Sequence, residues 1–179
     1  MRSARIGAGG GGALGPVVSS AHLASGASPA LSEFEFGLIL VSHAFHRWMV
    51  RAMAAAGFSD LSPLDVLVLH TVNHRGKTKK LADVCLVLNI EDTHLVTYAL
   101  KKLERLRLVK SGRAGKEKSV DITAAGEAAC LRYRGIREAL LVKAVKAMGF
   151  KDSAISQVAA QMRALSGHYD QAARSAASL

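Results

Sequence analysis

The sequence predicts a mainly α-helical fold with a small β-hairpin wing: a winged helix-turn-helix flanked by long N- and C-terminal helices. Three observations carry this. Two short helical patterns lie on either side of the interrupting Asn89-Ile90-Glu91-Asp92. Two β-prone segments, Leu108-Val109-Lys110 and Ser119-Val120-Asp121-Ile122, bracket a glycine-containing basic loop. Apolar residues recur at helical spacing over long stretches near both ends of the chain.

In chain order, Leu31, Phe34, Leu38, Val41, Phe45, Trp48 and Met53 trace the first long amphipathic helix as far as Gly57. Ser62 followed by Pro63 reads as an N-cap and first helical residue, opening a second helix through Leu64, Leu67, Val68 and Val72 to Gly76. Thr78 is expected to cap a third, short helix whose inward face is Leu81, Val84, Cys85 and Leu88. Asp92 or its neighbour caps a fourth, with Val96, Leu100 and Leu103 on one side and His94, Thr97, Tyr98, Lys101 and Arg105 along the other. Two short helices joined by a tight turn fit a helix-turn-helix. After the hairpin, Thr123 caps a long helix through Leu140, Leu141 and Met148 to Gly149, and Asp152 or Ser153 starts the last one.

The 179 residues suffice for one domain with a core and are too few for two ordinary ones. We place that domain at 31–176 and a flexible Gly/Ala/Ser-rich tail at 1–30. Arg2 and Arg5 ahead of small residues resemble the start of an export signal, but four consecutive glycines from Gly9 interrupt the apolar run such a signal requires. No stretch is apolar enough to span a membrane, and a cytoplasmic location is expected. Cys85 and Cys130 form no CxxC pair and fall within helical patterns, where thiols act as small hydrophobes. The formal charge is +10, of which +7 falls between Arg75 and Lys118, with twelve basic against five acidic residues. Such a concentration favours a polyanionic partner.

The run Leu95-Val96-Thr97-Tyr98-Ala99-Leu100-Lys101-Lys102-Leu103-Glu104-Arg105-Leu106-Arg107-Leu108-Val109 is similar to the recognition-helix signature of MarR-type regulators, and Val120-Asp121-Ile122-Thr123-Ala124-Ala125-Gly126 resembles the end of their wing. The resemblance implies a winged unit at about 62–126 and N- and C-terminal dimerisation helices at about 31–56 and 124–176. It further implies a homodimer that presents two recognition helices to half-sites ~34 Å apart on double-stranded DNA. Two departures stand out. No Asp lies between Val109 and Val120, and Lys116 stands where the family places an arginine paired with that Asp. The glycine usual before the Leu-Val pair is Arg107.

On that reading Thr93, His94, Thr97, Tyr98 and Lys101 face base edges, because the start of a recognition helix enters the groove. For Tyr98 the competing role is core packing. Lys79, Lys80, Lys102 and Arg105 are expected on the DNA backbone, and Arg113, Lys116 and Lys118 on the wing. The family also implies a small-molecule effector pocket, for which His46, Trp48 and His70 are the loose candidates. His43 with His46 and His70 with His74 have helical spacing for a shared metal, but no carboxylate or cysteine completes either set, so neither a metal nor a cofactor is expected. No catalytic motif such as GxSxG, HExxH or a Gly-rich phosphate loop occurs, and the chain is not expected to be an enzyme. The rival reading is a winged-helix module that binds protein or RNA without duplex specificity.

Overall fold

The computed structural model describes residues 15–114 and 117–179. The chain divides into two compact units, Met1–Val50 and Arg51–Leu179. In the first, α1 (Ala21–Ala24) precedes the long helix α2 (Pro29–Ala55), and the Ser32 hydroxyl donates to the Leu23 carbonyl at 2.8 Å to join them. This short helix lies within the segment assigned to the tail, of which residues 1–14 fall outside the described part.

The second unit begins with the last turn of α2 and the helix α3 (Pro63–Asn73). Ser62 caps α3 as expected: its hydroxyl accepts from the Asp65 N–H, and the Asp65 carboxylate accepts from the Ser62 N–H, so two otherwise orphaned donors are satisfied. A 3-10 turn (His74–Gly76) leads to β1 (Lys79–Lys80), then to α4 (Leu81–Leu88) and α5 (Thr93–Arg105). The expected cap at Thr78 is corrected here. Pairing of β1 with the wing keeps residues 79 and 80 extended, Lys80 becomes the N-cap, and the Thr78 hydroxyl donates to Asp121 Oδ1 at 2.5 Å. The turn between α4 and α5 closes on Asn89, left-handed at φ 53°, and Asp92 caps α5 by accepting from the His94 N–H at 2.8 Å.

The hairpin strands are β2 (Val109–Ala114) and β3 (Glu117–Ile122), in register from Val109↔Ile122 to Ala114↔Glu117. Together with β1 they form an antiparallel sheet of order β1-β3-β2, one strand more than the sequence analysis foresaw. Thr123 caps α6 (Ala124–Ile136) through the Gly126 N–H. Gly126 meets the sheet at a close approach, where a Cβ would lie 2.1 Å from the Leu108 carbonyl oxygen. The helix continues through a π-helical stretch (Arg137–Val142) into α7 (Lys143–Ala147), and after Gly149 the last helix α8 runs from Asp152 to Ala176.

The core of this unit is built from α3 (Val66, Val68, Leu69, Val72), α4 (Val84, Cys85), α5 (Val96, Ala99, Leu103), the sheet (Val109, Val120) and Leu108 just before β2, all buried. Each large aliphatic side chain removed from water there contributes on the order of 1.5–3 kcal/mol. Helix α3 packs against α5, α4, α6 and β3 together, so α5 and the hairpin share one core.

Candidate nucleic-acid interface

Helix α5 presents two faces, because its apolar residues recur at three- and four-residue intervals. Val96, Ala99 and Leu103 are buried, while Thr93, His94, Tyr98, Lys101 and Arg105 are exposed. Tyr98 is 68% exposed, so it packs against solvent and not in the core. Lys101 Nζ lies 5.9 Å from the Tyr98 ring centroid, a cation–π pairing that holds the two side chains together on the outward face. Thr97 is half-buried and its hydroxyl donates to the Thr93 carbonyl at 2.9 Å. The expected base-facing residues therefore share one surface, with Thr97 set deeper than the rest.

Beside this face a cleft opens between α5 and the wing. Leu81, Leu100 and Val120 line it together with Thr97, Lys101, Glu104, Arg113 and Lys118. Arg113 and Lys118 pair in register across the hairpin and both are exposed, and Lys116 lies outside the described residues. The cleft is thus rimmed by cations from two elements.

The cations expected on the DNA backbone divide differently. Arg105 is exposed at the end of α5. Lys79 Nζ donates to the His74 carbonyl at 2.8 Å, and Lys80 Nζ lies 2.5 Å from Glu117 Oε2, a carboxylate that raises the lysine pKa by hydrogen bond and charge. Lys102 turns inward. Its ammonium lies 3.0 Å from Asp65 Oδ2 and also donates to the Asp60 carbonyl, so the charge is spent on joining α5 to the start of α3. Lys102 was expected on the DNA backbone, but helical phase sets it three residues after buried Ala99, on the flank of α5 that meets α3.

The three candidates for an effector pocket fall in different units. His46 is exposed and Trp48 half-buried on α2, whereas His70 belongs to α3. Burial lowers the His70 pKa, its ring meets Tyr133 edge-on at 4.6 Å, and its Nε2 is buried without a hydrogen-bond partner among the described residues. His70 also lines a groove with Leu67, Thr71, His74, Lys79, Asp83 and Val87. Among the described residues no cluster of three or more His, Cys, Asp or Glu is arranged to hold a metal, and no helix is long and apolar enough to cross a membrane.

Residues 61–126 match the family model of the winged helix DNA-binding domain, a span running from just before α3 to the start of α6. The fold beyond that span also has counterparts among solved structures. The crystal structure of AbfR of Staphylococcus epidermidis aligns with a TM-score of 0.64 at 16% identity, covering 80% of this chain and 93% of that one. The chain has the fold of the MarR-family regulators. A mutant MarR from E. coli complexed with operator DNA aligns at a TM-score of 0.62 and 13% identity, over 79% of this chain and 99% of its own. CouR from Rhodococcus jostii RHA1, bound to p-coumaroyl-CoA, gives 0.59 and 16%, over 74% and 90%. At these identities the likeness to each is one of MarR-type fold. No match is found among curated protein sequences.

Proposed function

We propose that the protein is a homodimeric, sequence-specific regulator of transcription that reads double-stranded DNA with α5. The observation that carries this reading is the outward face of α5, where Thr93, His94, Tyr98 and Lys101 stand exposed beside the wing cations inside a segment that matches a DNA-binding domain. Thr93, His94, Thr97, Tyr98 and Lys101 meet base edges in the major groove. Arg105, Lys79, Lys80 and the wing residues Arg113, Lys116 and Lys118 meet phosphates and set the register. Lys102, partly exposed and paired with Asp65, is assigned to bracing α5 against α3, not to DNA. The protein acts by occupancy and carries out no catalysis.

Each unit supports the dimer through apolar side chains it leaves in solvent. On α2 these are Ile39, Leu40, Val41 and Phe45, and toward the C-terminus Leu140, Met148, Phe150, Ile155 and Val158. Soluble monomers rarely leave so much apolar surface uncovered, and a second copy of the chain covers it. A small organic effector acts through the groove at His70, whose buried Nε2 lacks a partner among the described residues. A melting shift with such a ligand that His70→Ala abolishes supports that site, and no shift across a panel of organic acids and thioesters counts against it.

The test of base reading is selection of a preferred duplex from random sequence, followed by substitution. Tyr98→Ala and Lys101→Ala should each cost about 1–3 kcal/mol on the selected duplex and much less on random duplex. Equal losses on both would remove these side chains from base reading.

A further inference from the structure

Glu104 sits on the outer part of α5 between Lys101 and Arg105, a carboxylate within the most basic part of the chain. It lines the cleft between α5 and the wing, and there its Oε1 accepts a hydrogen bond from the Ser111 backbone N–H at 3.1 Å. Ser111 belongs to β2, an edge strand of the sheet. Only three residues, Leu106 to Leu108, separate α5 from that strand. On the opposite side of the sheet, Thr78 and Lys80 bind Asp121 and Glu117 of the central strand β3. No Asp lies between Val109 and Val120 to brace the hairpin from within.

We propose that Glu104 is a positioning residue that holds the wing against the recognition helix, so that Arg113 and Lys118 stand on the same face as Lys101. The proposal rests on the DNA-binding reading above. A carboxylate beside a polyanion is unfavourable for binding, and its repulsion from phosphates falls on every duplex regardless of sequence. The bond to Ser111 supplies the compensating gain, since a wing fixed in place loses less conformational freedom when its cations meet DNA.

Two substitutions separate the charge from the bond. Glu104→Gln keeps an acceptor oxygen for the Ser111 N–H and removes the charge. Glu104→Ala removes both, and as an exposed helix position it keeps the fold, alanine being the better helix former. Glu104→Gln should bind duplex DNA several-fold more tightly than the wild-type chain and leave the exchange of the Ser111 amide hydrogen unchanged. Glu104→Ala should bind several-fold more weakly than Glu104→Gln and speed that exchange at least tenfold. In the Glu104→Ala background, Arg113→Gln should cost little further affinity, whereas in the Glu104→Gln background it should retain its full cost. Equal gains in affinity for both variants, or an unchanged Ser111 exchange in Glu104→Ala, would overturn the proposal. The exchange is measured on the free protein, so a wild-type chain that ignores duplex DNA would refute the regulator reading and leave the exchange alone to decide the tie.

Discussion

Arg107 adopts a left-handed backbone, φ 58°, in the turn between α5 and β2. A side chain there costs about 1–3 kcal/mol that glycine avoids, offset by the larger entropy glycine loses on folding. Arg107→Gly should therefore stabilise the fold by about 0.5–1 kcal/mol in urea unfolding, and a loss of stability would refute the strain. The resemblance to MarR-type regulators flagged this position, since glycine is usual there, and the structure supplies the reason. His70 was named as a loose pocket residue and, with His74, as a metal pair that nothing completes, and its burial gives it a further consequence. Its folded pKa lies below the ordinary 6.5, so in the window beneath 6.5 the unfolded chain binds more protons than the folded one. Stability contributed by neutral His70 is complete above 6.5 and is lost as the pH falls. His70→Gln should flatten the fall in stability below 6.5, and an unchanged pH profile would dissociate it from His70. Burial and Glu127 push the Cys130 thiol up to about 11, so at pH 8 the native protein should resist alkylation at Cys130 until denatured.

At the scale of elements, what was legible followed from periodicity and caps. Ser62 and Thr123 each cap the helix they were expected to cap, and of Asp92 and its neighbour it is Asp92 that caps α5, because side-chain oxygen at a helix start is a local signal. The apolar phase of α5 separates buried Val96 and Leu103 from exposed His94, Tyr98, Lys101 and Arg105, whereas Leu100 and Thr97 are both half-buried and Ala99 joins the buried side. Long-range signals were out of reach. β1 is two lysines long, too short for alternation and poor in strand formers, and only its pairing with Val120 and Ser119 makes it a strand. The π-helical stretch at Arg137–Val142 holds no Gly or Pro and no buried residue, so nothing in its composition marks the change of hydrogen-bond register. The inward turn of Lys102 depends on Asp65, 37 residues earlier and 7% exposed in its side chain. Removing the cation leaves a buried carboxylate without its counter-ion. Lys102→Met should thus destabilise the fold by about 1–3 kcal/mol, less than a fully buried pair would cost because the lysine is partly exposed. A duplex-affinity loss in Lys102→Met without a stability loss would return Lys102 to the DNA backbone.

For the molecule as a whole, the two proposed partners rest on two different surfaces. The basic excess between Arg75 and Lys118 coincides with the winged unit, which suits counterion release from DNA. The exposed apolar residues of α2 and of the C-terminal helices suit a second copy of the chain. Coverage by a partner copy is the expected fate of side chains such as Phe45 and Leu140, and a charged substitution there, Leu140→Glu, should shift the mass toward the monomer. The most direct test of the central claim is the salt dependence of binding to a selected and a random duplex, with the molar mass of the complex determined by light scattering. A chain dimer on one duplex, preferring the selected sequence and losing affinity linearly in log salt with a slope of about −0.9 per phosphate contact, is the predicted result. A monomer, or a dimer whose duplex affinity is weak and indifferent to salt, would contradict it.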